Sequence, residues 1–200
     1  MARPHRRPPA CAGFRLTGLR PETRVVAGVE LRLERPASPE ALVDEEEFDQ
    51  DECLRYWAEL WPAAIALAEA LPEVRGLRVV ELGCGLGVTS LAAAARGAHV
   101  KATDWSADAI ELLRRNAERN GLVLDAEVRD WRKPWAEHFD LALAADVLYE
   151  RRNVEPVLAR LRDLAPVALV ALAGRPYEAE FLRLAGRVEE VAPRVVRLVL

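Results

Sequence analysis

Glu81, Gly83, Gly85 and Gly87 stand where an apolar run, Leu77-Arg78-Val79-Val80-Glu81-Leu82, meets a helix-prone stretch from Val88 to Ala95. Alternating glycines in a strand-to-helix turn let bare backbone approach a nucleotide-like ligand, because a Cβ would hold the ligand away. Dinucleotide sites use Gly-x-Gly-x-x-Gly and seat a pyrophosphate on the helix N-terminus. Here the third glycine comes one residue early, and the Glu81 carboxylate would repel a phosphate and favour a ligand with positive charge. On the glycines alone, a turn that binds nothing is the alternative. Cys84 falls inside the same loop. Asp104 follows Gly83 by 21 residues, the spacing of an acidic residue that accepts hydrogen bonds from ribose hydroxyls. Its alternative is a helix cap, a role that Ser106 already fills. Asp130-Trp131 offers a carboxylate for an exocyclic amine and an indole for the face of a purine; otherwise Trp131 covers the edge of a sheet.

These residues are useful only if strands deliver them to one place, and the hydrophobic pattern supplies such strands. Val25 to Leu33 predicts a short strand, and Glu52 to Leu71 a helix interrupted at Pro62. Beyond the glycine turn, His99 to Thr103 reads as a strand ending at Asp104. Ser106 then caps a helix with Ile110, Leu113 and Ala117 on one face, closed at Asn120-Gly121 in the left-handed conformation. Leu124 to Arg129 is a strand ending at Asp130, and Phe139 to Ala145 another ending at Asp146. Val154 to Leu164 predicts a helix, Val167 to Ala173 a continuous apolar strand, and a further helix begins at Glu178. Strands buried on both faces imply a mostly parallel, doubly wound sheet between two helix layers, an α/β fold that binds ligands at the carboxyl ends of its strands.

The 200 residues, 51% hydrophobic, suit one domain with a sizeable core. No apolar run approaches the ~18 residues of a membrane span, and Met1 to Pro9 lacks the apolar segment of a secretory signal, so a cytoplasmic location is expected. Cys11, Cys53 and Cys84 have neither a C-x-x-C spacing nor an even count, which argues against a disulfide framework or a zinc site. Residues 1–35 carry eight arginines against three glutamates, whereas residues 36–52 carry eight acids and no base. The basic arm is read as a tail, with nucleic acid or a membrane surface as the other reading. The acidic stretch either attracts a basic substrate or is a solvated face. Residues 1–52 are therefore set apart from a domain at 53–200.

Taken together, Tyr56-Trp57-Ala58-Glu59-Leu60-Trp61-Pro62-Ala63-Ala64, the Glu81 to Gly87 loop, Asp104, Asp130-Trp131 and Phe139 to Tyr149 resemble the seven-strand (class I) S-adenosylmethionine-dependent methyltransferases. Within them the resemblance is to the lysine-methylating branch, around the electron-transfer-flavoprotein β-subunit lysine methyltransferases and their bacterial relatives. It runs from about Tyr56 to Tyr149, with a weaker echo at Gly174-Arg175-Pro176. The resemblance implies that S-adenosyl-L-methionine is the cofactor and that a protein bearing the target lysine is the partner. By the same resemblance, Trp61 packs beside the methionine portion. Glu81, Gly83, Cys84, Gly85 and Gly87 hold its amino acid end, Asp104 the ribose, and Asp130 with Trp131 the adenine, with Trp105 and Ala145 also counted among the cofactor-binding residues. Asp146 and Tyr149 occupy the D-x-x-Y position that faces the acceptor amine. Residues i and i+3 share a face if the chain coils there; a turn-capping carboxylate and a core aromatic are the alternatives.

Methyl transfer is an in-line displacement from sulfur to a neutral nitrogen, so alignment and exclusion of water carry most of the work. No metal and no nucleophilic side chain is expected. Deprotonating a lysine amine at neutral pH costs about 4 to 5 kcal/mol, and a carboxylate beside it opposes that step. Asp146 is therefore read as aiming the amine, with the sulfonium and a partly apolar pocket lowering its pKa, and Tyr149 as a hydrogen-bond acceptor or a wall. A small-molecule N-methyltransferase is the alternative. A nucleic-acid methyltransferase is disfavoured because the Asn/Asp-Pro-Pro-aromatic motif is absent, a nicotinamide-binding relative by the glycine spacing and Glu81, and a non-catalytic one by the intact cofactor residues. The family ends in an antiparallel strand pair. Only Val188 to Leu200 remains for it here, and Ala192-Pro193 is a poor two-residue turn, which predicts a shortened pair or a missing strand.

Overall fold

A computed structural model describes residues 18–37 and 56–200. The basic residues 1–17, the acidic stretch 38–52, Cys11, Cys53 and the start of the helix expected from Glu52 lie outside the described residues. Two strands, β1 (Leu19–Val26) and β2 (Val29–Pro36), form a separate antiparallel hairpin. One strand was expected across Val25 to Leu33. The chain instead reverses at Ala27-Gly28, with φ of +53° and +75°, the mirror-image turn whose twist matches a two-residue hairpin. Alanine at its first position hides the signal.

Chain order continues through a short 3-10 turn (Tyr56–Ala58), α1 (Pro62–Glu69), β3 (Arg78–Leu82), α2 (Val88–Ala95), β4 (His99–Asp104) and α3 (Ala107–Arg119). Then come β5 (Asp125–Val128), β6 (Leu141–Ala145), α4 (Val154–Leu164), β7 (Val167–Ala171), α5 (Glu178–Ala185), β8 (Arg187–Ala192) and β9 (Val195–Val199). Seven strands make one sheet in the order β5-β4-β3-β6-β7-β9-β8, parallel except for β9, which runs antiparallel to both β7 and β8. The C-terminal antiparallel pair is thus present as two short strands, the first of the two expected alternatives, and no strand is missing from it. Its turn is Pro193-Arg194, with Arg194 at φ +62°; a proline-fixed negative φ followed by a positive one is the pattern of a type II turn.

Val79, Val80, Leu82, Ala142, Leu143 and Ala144 are fully buried because helices cover both faces of the sheet. On one side, α1, α2 and α3 supply Leu67, Leu91, Ile110 and Leu113. On the other, α4 and α5 supply Val157, Leu161 and Phe181. Ser106 caps α3 by accepting the Ala109 N–H at 3.3 Å, and Gly121 follows it at φ +63°. Two side chains one turn apart on α3 fasten the hairpin. Asn116 accepts from Glu34 N–H at 2.6 Å and donates to its carbonyl at 3.1 Å. Asn120 does the same with Arg32, both at 2.8 Å. The two amides act as an extra strand edge. No helix of the described residues is long and apolar enough to cross a membrane.

Candidate active site

From β3 the chain progresses outward through β4 to β5, and from β6 the other way to β7. The crevice at the carboxyl ends of β3 and β6 is therefore the switch point where such sheets take ligands. A cavity of about 420 Å³ opens there, within the range of small-molecule sites. Of the residues expected to form a site, Trp61, Gly83, Gly85, Asp104, Trp105, Asp130, Trp131, Ala145, Asp146 and Tyr149 line it.

The loop between β3 and α2 passes through the left-handed region at Gly83 and Gly85, with φ of +67° and +51°. A Cβ at Gly83 would sit 2.9 Å from the Trp131 ring and one at Gly85 3.2 Å from the Trp57 carbonyl. The loop is bare because its neighbours already fill the space. Asp104, at the end of β4, accepts the Gly85 N–H at 3.0 Å and the Ser106 N–H at 2.9 Å. It thereby binds the glycine loop to the start of α3. Burial raises its carboxyl above the usual range against the pull of these bonds, and each oxygen keeps a lone pair toward the cavity side. Asp130 takes the Arg132 N–H at 2.9 Å and its Nε at 2.8 Å. Burial pushes this carboxyl up, but the Arg132 bonds outweigh it and hold it below its ordinary value. Trp131 is held by Arg160, whose Nε donates to its carbonyl at 3.1 Å.

Three residues expected to touch the ligand do not line the cavity. Glu81 is buried under the loop and accepts the Ser90 hydroxyl from α2. Burial lifts its pKa to about 7, against hydrogen bonds from Ser90 and Thr89 that pull it down, so it braces the loop from below. Cys84 is buried, its thiol raised far above the ordinary range by burial. Gly87 sits at the start of α2 with φ +75°, where a Cβ would run into Leu113; it serves helix packing.

At the other end of the cavity, Asp146 follows β6 at φ +51°. The chain does not coil there, as the i, i+3 argument supposed. It bends at Asp146 and again at Tyr149 and Glu150 before a 3-10 turn at Arg151–Asn153, held by the Asn153 amide donating to the Val147 carbonyl at 3.1 Å. Asp146 and Tyr149 nevertheless border the same space. Burial raises the Tyr149 pKa to about 12, with the Asp104 charge adding to the effect, so its hydroxyl stays protonated and is no base at neutral pH. Tyr56 packs between Trp61 and Tyr149, with ring centres 6.4 and 5.8 Å apart, and the Trp61 indole donates to the Tyr56 carbonyl at 2.8 Å. Sequence reasoning gave no role to Arg175, which lies on the cavity wall and pairs with Asp146. Only the echo at Gly174-Arg175-Pro176 pointed there.

With this geometry in place, the comparison with known proteins is direct. The family model described as lysine methyltransferase matches residues 44–185. The chain belongs to the lysine methyltransferase family. It is 32% identical over 133 residues to the electron transfer flavoprotein β subunit lysine methyltransferase of Xenopus laevis, covering 63% of this chain and 54% of that one. It is 36% identical over 122 residues to the protein N-lysine methyltransferase METTL21A of Mus musculus, covering 54% and 55%. The chain thus aligns with about half the length of these family members. Among solved structures, the T. thermophilus 16S rRNA N2 methyltransferase RsmC, in complex with AdoMet and guanosine, superposes with a TM-score of 0.67 at 22% identity. That match covers 92% of this chain and 51% of that one, a likeness of fold.

Proposed function

We propose that this chain transfers the methyl group of S-adenosyl-L-methionine to the side-chain amine of a lysine in a protein. The observation that carries the reading is one cavity lined by two chemically different sets of residues. Gly83, Gly85, Asp104, Asp130 and Trp131 form the first, and Asp146 with Tyr149 the second. The first set fits the cofactor: a glycine loop whose bare backbone borders the cavity, a buried carboxylate for paired hydroxyls, and an indole beside a second carboxylate for an aminopurine. When bound, S-adenosyl-L-methionine supplies a methyl group on a sulfonium, a good leaving group that departs as a neutral thioether.

The chain's own residues then have to align a nitrogen with that carbon and keep water out, which is where most of the rate enhancement of such a displacement comes from. Tyr56, Trp61 and Tyr149 wall the acceptor end with apolar ring faces, and the protonated Tyr149 hydroxyl can donate a hydrogen bond but takes no proton. Asp146 offers an oxygen to an N–H of the amine and so fixes the direction of its lone pair.

Incubating the purified protein with S-adenosyl-L-methionine labelled in the methyl group and a desalted cell lysate, followed by mass spectrometry, tests the reading. Label on lysine side chains is the expected result. Label confined to small molecules would replace the protein acceptor with a small amine, and tight binding of NAD without response to S-adenosyl-L-methionine would remove the methyltransferase reading.

A further inference from the structure

Asp146 is almost closed to solvent, its side chain 4% exposed, and both its oxygens are occupied by one guanidinium. Arg175 Nε donates to Oδ1 and its terminal nitrogen to Oδ2, each at 2.7 Å. The same guanidinium lies 5.7 Å from the centre of the Trp61 ring. Its backbone is fixed as well, since one oxygen of Glu178 accepts the N–H groups of Ala173, Gly174 and Arg175 at 2.7, 2.7 and 2.9 Å. Two residues that meet beyond the carboxyl ends of the paired strands β6 and β7 thus form a two-bond pair on the cavity wall.

We propose that Arg175 is a positioning residue that keeps the acceptor end electrically balanced, so that the lysine amine is taken up without its extra proton. The proposal rests on the methyltransferase reading above. A lone buried carboxylate beside an amine stabilises the ammonium form and raises the amine's pKa by about 1 to 3 units, which works against a nucleophile that must be neutral. Arg175 cancels that charge where it sits. The fork uses one lone pair on each Asp146 oxygen and leaves the others available. A neutral amine can donate an N–H to one of these while its own lone pair faces the methyl carbon.

The transfer then balances. Lysine gives its solution proton to water before entry, the N–C bond forms as the C–S bond breaks, and the C–S electron pair stays on sulfur. The nitrogen leaves as a methylammonium carrying the charge that sulfur gave up, and at neutral pH it stays protonated in water. Other groups face the pair. Tyr56 lies beside the guanidinium, Glu178 is committed to backbone N–H groups, and Arg194 flanks Gly174. Tyr149 and Asp104 border the cavity, with Glu150 and Arg152 on its wall. All stay the same between variants, so a difference between variants reports the Asp146–Arg175 charge alone.

The test uses the labelled-lysate reaction, read as label on protein lysines against pH from 6 to 10, for the full chain and three variants. In Arg175→Met the rising limb moves to higher pH by about one unit or more, with activity at pH 7 down about tenfold and recovering in alkali. In Asp146→Asn it moves to lower pH. In the double variant, which buries no unmatched charge and so remains informative if Arg175→Met fails to fold, it returns to the wild-type position. An unmoved limb in a folded Arg175→Met protein, or a displaced limb in the double variant, overturns the proposal while leaving the methyltransferase reading intact. A wild-type protein that labels no lysine overturns the reading itself, and the proposal with it.

Discussion

Ser90, in the first turn of α2, donates its hydroxyl to the buried carboxyl of Glu81 at the end of β3. This bond braces from beneath the glycine loop that joins the two elements. Glu81 has a folded-state pKa of about 7 against 4.5 in the unfolded chain, because burial outweighs the hydrogen bonds it accepts. A carboxyl whose pKa is raised on folding contributes stability that is complete below about pH 4.5 and is lost as the pH climbs through about 7. The total is about 3 kcal/mol. Glu81→Gln should flatten the fall in urea-unfolding stability between these pH values. Burial shifts Asp104 in the same direction. A variant as steeply pH-dependent as the wild type would contradict the assignment.

Gly87→Ala should destabilise the fold by about 2 to 4 kcal/mol, combining a side chain driven into Leu113 with a positive φ. Gly83→Ala should behave differently. Its Cβ meets the Trp131 ring at 2.9 Å on the cavity side, so cofactor affinity should fall tenfold or more with a smaller loss of stability. Urea unfolding and calorimetry on both variants separate the two effects, and equal losses of stability would merge them.

The layers, the parallel core and the strand ends carrying Asp104, Asp130 and Asp146 were legible because each rests on local signals: a buried run, a cap, a glycine turn. What was not legible depends on which way a side chain turns once the elements pack. Glu81 reads as a ligand contact from its distance to the glycines, yet in a strand buried on both faces its side chain enters the core and finds Ser90. Arg175 is one of 26 arginines, and nothing near it in sequence announces Asp146, 29 positions away. Asn116 interrupts an apolar helix face, the one local sign that something polar from β2 meets it there. The C-terminal pair was misjudged by one residue, because the turn is centred on Pro193-Arg194 and not on Ala192-Pro193.

Asp104→Ala should weaken binding of S-adenosyl-L-methionine by roughly 1.5 to 3 kcal/mol per ribose hydrogen bond lost. The carboxylate also holds the N–H groups of Gly85 and Ser106, so the variant should lose stability too, by about 1 to 3 kcal/mol. Calorimetry and unfolding of the same protein check both, and undiminished affinity in a folded variant would remove Asp104 from the ribose site.

Asp146→Asn should leave cofactor affinity within about a factor of three and lower methyl transfer to lysine by about a hundredfold, the scale of a lost positioning contact. Tyr149→Phe should lose less, since a hydroxyl with a pKa of about 12 donates one hydrogen bond and moves no proton. Steady-state rates beside equilibrium binding measure both. Normal transfer by Asp146→Asn would reduce the carboxylate to a partner for Arg175.

The insertion of β9 between β7 and β8 sets an order of assembly. Within the sheet β8 pairs only with β9, which follows it in the chain after two residues. The Pro193-Arg194 turn makes pairing β8 with β9 a local event, and local contacts close faster than distant ones. The hairpin is thus expected to form first and dock afterwards, β9 foremost, against a β7 already covered by α4 and α5. Pulse-labelling hydrogen exchange during refolding should protect the amides joining β8 to β9 before those joining β9 to β7. The reverse order would mean that the sheet recruits β9 before its own hairpin partner does.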